Sequence, residues 1–482
     1  MPFTLTAEQT AIIEAACETQ ENLLISARAG SAKTTTIELI AQALPTTTTL
    51  AIAFNKKIAD ELRLRLPPNC ESVTLNALGH RAWKDFIGKH PKVSGGKTYF
   101  MLKEELEKLP PSEAKEVSEN FRDLLDAIRT AKSKGYLPSR PHSRCRPLIE
   151  DDSFFDLLEV RLTPIERELL NTIVLRSFTE AILGNIDFDD QILCPTIMPA
   201  SFPSFELVMI DEAQDLSRIN QLMLAKIAKR SRLIAVGDEA QAIYGFRGAS
   251  EQSMPELRRM FDMREMHLTI CFRSSQSVIA EAQWRAPDMR HRDGAPIGTV
   301  LWPDSWSASD LQDGDAIICR NNAPLFHMAV ELLRAKRLPE LASGDITKGL
   351  IATMKKLGKR TDPQGVALEA LEKWESQQSK RHKDKKRVED QAACIRVFLL
   401  ETETLGDAIT FFEDITARKG HIKLSTGHKA KGLEFDRVWF LDQHLLRHEG
   451  QDLNLRYVIQ TRAREQLAYV TTKSWRMEKE AA

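Results

Sequence analysis

The chain has 482 residues, too many for one ordinary core, so several domains are expected. With 67 Lys+Arg against 68 Asp+Glu the net charge is −1, so no global basic field points to nucleic acid, and such a partner must use a locally positive groove. Seven scattered cysteines without a CxxC pair argue against a disulfide framework, a zinc module or an iron–sulfur cluster and fit a reducing, cytoplasmic setting. Residues 1–10 show no basic-then-apolar leader and no apolar run reaches membrane length, so no membrane partner is expected.

In chain order, residues 23–26 read as a short strand, followed by a loop and a helix from about Lys33. Residues 49–54 read as a second strand and 57–66 as a helix, an alternation that predicts a parallel α/β sheet. From Arg81 to Leu183 the pattern is mainly helical and charged, with a proline-rich break between Pro138 and Pro147. Strand character resumes at 207–210 and 233–236. A second α/β block starts near Leu268 and includes a strand at 316–319. Residues 346–416 are again helical and charged, and strands return at 422–424 and 438–441. The expected layout is a first parallel-sheet domain (1–80 and 184–265) interrupted by a helical insertion (81–183), then a second (266–345 and 417–482) interrupted by a shorter one (346–416). That layout suits a nucleotide held in a cleft between two similar domains.

Ala27-Arg28-Ala29-Gly30-Ser31-Ala32-Lys33-Thr34-Thr35 falls between a predicted strand and a predicted helix. In a phosphate loop, backbone N–H groups and a helix N-terminus cradle phosphates, a lysine reaches the β/γ phosphates and a hydroxyl binds Mg²⁺. Lys33 and Thr34 fit the last two roles, and Ala29, Gly30, Ser31, Ala32 and Thr35 fit the cradle. Alanines replace the usual glycines at 27 and 32. At 32 the methyl is either accommodated or slows hydrolysis, because glycine there allows unusual dihedrals and close approach to phosphate. The bland alternative is a strand–turn–helix with a chance Lys-Thr pair.

Asp211-Glu212 closes the apolar run Leu207-Val208-Met209-Ile210. A buried strand ending in paired carboxylates is what an ATP-hydrolysing motor needs: one holds Mg²⁺, and its neighbour orients and deprotonates the attacking water. Asp-Glu pairs are common on solvated surfaces, so the weight comes from order: a phosphate loop upstream and two arginine motifs downstream.

With those features in that order, the chain resembles the superfamily 1 DNA helicases of the UvrD/Rep/PcrA type, in particular the compact F-box-helicase-like or phage-like members, from Gln9 to Arg464. The resemblance implies two RecA-like domains and carries residue roles with it. In Leu5-Thr6-Ala7-Glu8-Gln9, Gln9 reads adenine. Phe54 and Asn55, then Thr74 and Asn76, contact single-stranded DNA after the first two strands. The segment 186–190 (Ile-Asp-Phe-Asp-Asp) resembles the one preceding the Mg²⁺ strand; Asp211 is the metal residue beside Thr34, and Glu212 the general base. In the stretch 236–249, Gln241 senses the γ-phosphate, and Tyr244, Phe246 and Arg247 meet DNA. Phe272 stacks on adenine and Arg273 touches the γ-phosphate, with Cys271 where relatives carry Asn. In the stretch 425–435, Thr426, His428 and Lys431 contact DNA and Glu434 the nucleotide, and Arg462 is a second arginine finger.

The activity so implied is ATP-driven translocation on single-stranded DNA, 3′ to 5′, with unwinding at single/double-strand junctions, ATP and Mg²⁺ as cofactors, and protein partners in replication, recombination, repair or defence. The alternative is a nucleotide-gated single-strand DNA-binding or protein-displacing factor with weak unwinding. A metabolic P-loop kinase would not need Arg273, Arg462 or the Tyr244/Phe246 pair. The basic run 380–387 reads either as a solvated helix face or as a duplex-contacting tip.

Overall fold

The computed structural model of the protein describes residues 5–245, 252–342 and 344–476. By contacts it divides into two compact units: residues 1–28 with 32–268, and 29–31 with 269–482. Both are α/β and each is built on a six-stranded sheet.

The first unit opens with α1 (Ala7–Glu18), β1 (Leu23–Ala27), α2 (Lys33–Ala43), β2 (Thr49–Ala53), α3 (Lys56–Arg65), β3 (Cys70–Thr74) and α4 (Leu75–Ile87). A helical region follows: β4 (Lys92–Val93), α5 (Lys97–Leu106), α6 (Pro111–Glu119), α7 (Phe121–Ser133), α8 (Ser153–Asp156) and α9 (Pro164–Ile182). The chain returns through β5 (Asn185–Ile186), α10 (Asp190–Ile197), β6 (Leu207–Ile210), α11 (Arg218–Ile227), β7 (Arg232–Gly237), α12 (Ser253–Phe261) and β8 (Arg264–Leu268). Sheet order is β3-β2-β6-β7-β1-β8, with every neighbouring pair parallel.

Successive side chains of a strand point to opposite faces, so apolar runs such as Leu207–Ile210 must be covered on both. They are. Leu24, Leu50, Ile52, Val208, Ile210, Leu233 and Ala235 join a cluster with Trp83 of α4 and with Leu124, Ile128, Phe154 and Phe178 of the helical region. Their neighbours Leu23, Ile25, Ala51, Leu207, Met209, Ile234 and Val236 join a second cluster with Ile12, Ile37 and Ile40 of α1 and α2. The helical insertion is thus continuous with the core of one sheet face.

The second unit holds β9 (Ile270–Cys271), α13 (Gln276–Ala282), β10 (Arg290–His291), β11 (Thr299–Leu301), β12 (Ala316–Cys319), α14 (Ala323–Arg334) and β13 (Pro339–Leu341). Then come four helices, α15 (Asp345–Met354), α16 (Gln364–Arg381), α17 (Lys385–Leu400) and α18 (Leu405–Ala417). β14 (Ile422–Thr426), α19 (Gly427–Ala430), β15 (Phe435–Leu441), α20 (Gln451–Gln460) and β16 (Ala463–Val470) complete it. Its sheet runs β11-β16-β15-β12-β14-β13, again parallel. Ile317, Leu424, Trp439 and Leu441 are packed with Phe326, Phe398 and Phe412 of the helices.

The basic run spans the end of α16, a turn and the first turn of α17. Asp384 caps the new helix by accepting from Lys386 N–H at 3.2 Å and pairs with Arg447 at 2.9 Å, while Lys383, Lys385, Lys386 and Arg387 are exposed. Among the described residues no helix is long and apolar enough to cross a membrane.

Candidate functional site

Because all six strands of the first sheet are parallel, their C-terminal ends lie on one edge, where α/β proteins gather ligands. The phosphate loop follows β1 there. Ala32 adopts a left-handed backbone, φ 61° and ψ 42°, at the N-cap of α2, and Gly30 has φ 71°. The alanine therefore takes the dihedrals expected of glycine, at a cost of roughly 1–2 kcal/mol for an L-residue. Lys33 is the first residue of α2, and Thr34, half-buried, donates its hydroxyl to Asp211 Oδ2 at 3.0 Å. Ser31 is buried, and its Oγ has no hydrogen-bond partner. A buried hydroxyl left unsatisfied in a loop of phosphate-cradling sequence fits an anionic acceptor.

Asp211 follows β6 and is buried; Glu212 N–H donates to its Oδ1 at 2.9 Å. Burial first, and the Glu212 charge second, push the Asp211 carboxyl up to about 6, against the opposing pull of Lys33 and the Thr34 hydroxyl. Such a carboxyl gains from a nearby cation, so the pair Thr34–Asp211 fits an oxygen-preferring Mg²⁺. Glu212 has a left-handed backbone, φ 54°, and its side chain is held by Gln214. Gln214 in turn accepts from Asp238 N–H at 2.9 Å, and Asp238 accepts from Gln241 Nε2 at 2.8 Å. Arg28 lies 3.8 Å from Asp238. A hydrogen-bonded path thus connects Glu212 to Gln241. The sequence assigns no role to Gln214, Asp238 or Arg28, although Arg28 and Asp238 lie within stretches that carry the resemblance and Gln214 stands two residues beyond Glu212. Gly237 is required beside them: a β-carbon there would come within 2.6 Å of Gln214 Oε1 and 2.8 Å of Met254 Sδ.

Gln9 is 1 % exposed. Its Oε1 accepts from Thr6 N–H at 3.1 Å in a capping box, which leaves Nε2 as a buried donor without a partner. An orphaned amide donor of this kind fits a ring nitrogen of a base.

The predicted strand contacts of this unit share the same edge. Ala53 of β2 pairs with Thr74 of β3, so Phe54 and Asn55 emerge beside Thr74. Phe54, 41 % exposed, lies parallel to Tyr244, with ring centroids 5.9 Å apart and planes 8° from parallel. Asn55 and Thr74 are helix N-caps, accepting from Ile58 N–H at 3.0 Å and Ala77 N–H at 3.2 Å. Asn76 donates to Phe188 O at 2.8 Å and to Gln191 Oε1 at 3.1 Å. Thr35 is half-buried on α2. Phe246 and Arg247 lie outside the described residues.

In the second unit the predicted residues divide between two ends of the sheet. Phe435 pairs with Ala463, so Glu434 and Arg462 stand at the N-terminal ends of β15 and β16. Arg273 joins them, with Nη2 2.5 Å from Glu434 Oε1 and Nη1 3.4 Å from Thr461 O, while its buried Nε has no partner. Arg462 is 1 % exposed and donates to Val458 O at 3.0 Å and Leu433 O at 3.2 Å. Phe272 is half-buried beside Cys271, whose buried thiol accepts from Ser274 N–H at 3.4 Å. Thr426 closes β14 at the opposite, C-terminal end and caps α19, which carries His428; Lys431 follows. Thr426 is buried, and His428 and Lys431 are half-buried.

A parallel sheet whose edge brings together a left-handed phosphate loop, a lysine at a helix start and a hydroxyl bonded to a strand-end carboxylate defines a P-loop nucleotide-binding protein. The model of the UvrD/REP helicase N-terminal domain matches residues 5–262, and the chain belongs to that family. It is similar to F-box DNA helicase protein 1 of Schizosaccharomyces pombe, 22 % identical over 96 % of this chain and 57 % of that one. It is also similar to a probable DNA helicase II homolog of Mycoplasma genitalium, at 23 % over 48 % of this chain and 35 % of the other. The ATP-dependent DNA helicase Rep of Buchnera aphidicola is 27 % identical over 48 % of this chain and 35 % of its own. The chain thus spans between about a third and somewhat over half of the length of these relatives.

Proposed function

We propose that the protein is an ATP-dependent DNA helicase that translocates on single-stranded DNA, 3′ to 5′ by resemblance, and acts at single/double-strand junctions. The observation that carries this reading is the connected set Thr34–Asp211–Glu212–Gln214–Asp238–Gln241 on the edge that also presents Phe54, Asn55, Thr74 and Asn76. A kinase needs the first half of that arrangement; a motor needs both. The names of the relatives support the DNA helicase reading.

In this account Gln9 holds the adenine edge, Phe272 stacks on it, and Glu434 contacts the nucleotide. Backbone N–H groups of residues 29–35 and the Ser31 hydroxyl cradle the phosphates, and Lys33 neutralises charge on the β and γ groups. Thr34 and Asp211 would hold Mg²⁺, which would supply charge stabilisation to the phosphates. Glu212, positioned by Gln214, accepts the proton of the attacking water. Gln241, linked to Glu212 through Asp238, registers the γ-phosphate. Arg273 and Arg462 stabilise the transferring phosphoryl group, as arginine's permanently charged fork suits. Their contact is present before hydrolysis and lost after it, and this difference drives a cycle of closure and release. Phe54, Tyr244, Phe246 and Arg247 with Asn55, Thr74 and Asn76 from one unit, and Thr426, His428 and Lys431 from the other, alternate in gripping the strand. We assign the helical regions 81–183 and 346–416 as insertions into the two RecA-like domains.

The test is steady-state ATP hydrolysis with and without an oligothymidylate for wild type and Lys33→Ala. The reading requires stimulation by the strand and its loss in the variant. Full DNA-stimulated hydrolysis in Lys33→Ala would remove the phosphate-loop assignment.

A further inference from the structure

Each open sheet has two edges, so the two six-stranded sheets present four edge strands: β3 and β8 in the first unit, β11 and β13 in the second. An edge with bare N–H and C=O groups invites pairing, and proteins guard such edges with charges or proline. Three of the four are guarded. β3 carries Glu71, paired with Arg81. β8 carries Arg264 and Glu265, which pair with Glu21 and Arg258. β13 opens on Pro339, and its Glu340 accepts from Lys423 at 2.8 Å. β11, Thr299-Val300-Leu301, has neither charge nor proline, and among the described residues it pairs only with β16.

Exposed apolar side chains line this edge. Ile297 before it is 73 % exposed, Trp302 after it 56 %, and Leu301 is exposed between them. The aromatic end stands on a fixed base. Trp302 stacks on Tyr469 of β16, with ring centroids 3.8 Å apart and planes 13° from parallel. The Tyr469 hydroxyl accepts from Gln460 Nε2 at 2.7 Å and donates to Glu281 at 2.7 Å. Gln460 Oε1 accepts from the indole N–H of Trp284 at 2.9 Å, so a second exposed tryptophan is held by the same network. Arg456 lies over the Trp284 ring, 5.0 Å from its centroid, and its buried Nε has no hydrogen-bond partner. Exposed apolar patches with rigid aromatic anchors mark protein docking, because little side-chain freedom is lost when they are covered.

We propose that β11 is a docking edge for a partner protein, which adds an extended segment of alternating apolar residues as a further strand and sets an acidic residue against Arg456. Main-chain pairing supplies affinity in this mode, and alternate side chains meet Leu301 and the tryptophans. The length of the edge selects the occupant. Three residues paired with those of a second copy fall short of the roughly 1,200–2,000 Å² of a stable interface, whereas a linear segment needs only an edge and its anchors. The charge selects its sign: Glu281 already serves Tyr469, while the Arg456 donor is unmatched. The proposal does not depend on the DNA-motor reading.

The experiment titrates the full chain with a fluorescein-labelled peptide of alternating valine and threonine flanked by aspartates, read by anisotropy. The comparison peptides are flanked by lysines or N-methylated at every other amide, in both registers. The protein variants are Trp302→Ala, Leu301→Lys and Arg456→Gln, with thermal unfolding as the check on the fold. Leu301 is exposed, so its variant keeps the test open should Trp302→Ala not fold. Saturable binding of the aspartate peptide is expected, at least about fivefold weaker in Trp302→Ala and Leu301→Lys. A loss of at least about threefold is expected in Arg456→Gln and with the lysine peptide. No saturable binding by the folded wild type overturns the proposal, and equal binding of both N-methylated peptides overturns strand addition. A wild-type dimer in sedimentation velocity that Leu301→Lys dissociates gives the edge to a second copy. Displacement of the peptide by an oligothymidylate whose own binding falls in Trp302→Ala gives it to nucleic acid. Either result overturns docking of a partner protein.

Discussion

In the first unit the predicted phosphate and metal residues follow the C-terminal ends of β1, β6 and β7; in the second, Arg273, Glu434 and Arg462 gather at the N-terminal ends of β15 and β16. The strand ends also differ where they look most alike. β6 and β15 each lead into an acidic residue in the left-handed region, Glu212 at φ 54° and Asp442 at φ 50°, and each is followed by a short 3₁₀ turn. Beside Glu212 stand Asp211, Thr34 and Gln214. Asp442 instead accepts from Thr472 N–H at 3.0 Å and serves the fold. Backbone strain at a strand end therefore does not by itself distinguish the two acids; the groups that each side chain meets do. The lesson extends to division of labour. Of the predicted nucleotide residues, those following β1 and β6 combine loop amides, a hydroxyl and carboxylates, a set suited to phosphate with its cation, and those of the second unit are two arginines with Glu434 and Phe272.

The largest expected effect tests that division. Arg273→Lys keeps the charge but loses the fork, and strand-stimulated hydrolysis should fall toward the roughly 10³–10⁵-fold loss of a missing arginine finger, with ATP-analogue binding nearly kept. Wild-type turnover in this variant would place the transition-state charge elsewhere.

A smaller effect sharpens the role of Asp211. Its carboxyl is raised from 3.8 to about 6, so the folded protein keeps a proton that the unfolded chain releases at lower pH. Ligand-free stability therefore falls as pH rises through that window. Asp211→Asn should unfold at a higher temperature than wild type above about pH 6, lose that advantage near pH 4, and be inactive throughout. An equal gain at both pH values would show that the buried charge is not the cause.

Much of the fold could be read from the chain because its central strands are uninterrupted apolar runs. Residues 207–210, 233–236 and 316–319 fall within strands buried on both faces. The elements left unread are polar or marginal. β8, Arg-Glu-Met-His-Leu, is an edge strand buried fully only at Leu268, and β16 opens with exposed Arg464 and Glu465 before its apolar end. Boundaries moved where side-chain capping decides them: α3 begins at Lys56 because Asn55 caps it, and α4 begins at Leu75 because Thr74 does. In the site, Lys33, Thr34, Asp211 and Glu212 could be singled out because the role proposed for each requires that residue type at a fixed spacing. Gln214 and Asp238 could not, since their part is to connect Glu212 and Gln241 across two strand ends, and only the folded register of β6 and β7 brings them together.

The most direct test of the account compares Glu212→Gln with Asp442→Ala, two strand-end acids of matching backbone, in ATP hydrolysis with and without single-stranded DNA. The account predicts strong stimulation in wild type, a roughly 10²–10⁴-fold loss in Glu212→Gln, and stimulation retained in Asp442→Ala with stability lower by about 1 kcal/mol. Stimulated hydrolysis that survives in Glu212→Gln, or that is lost only in Asp442→Ala, would contradict it.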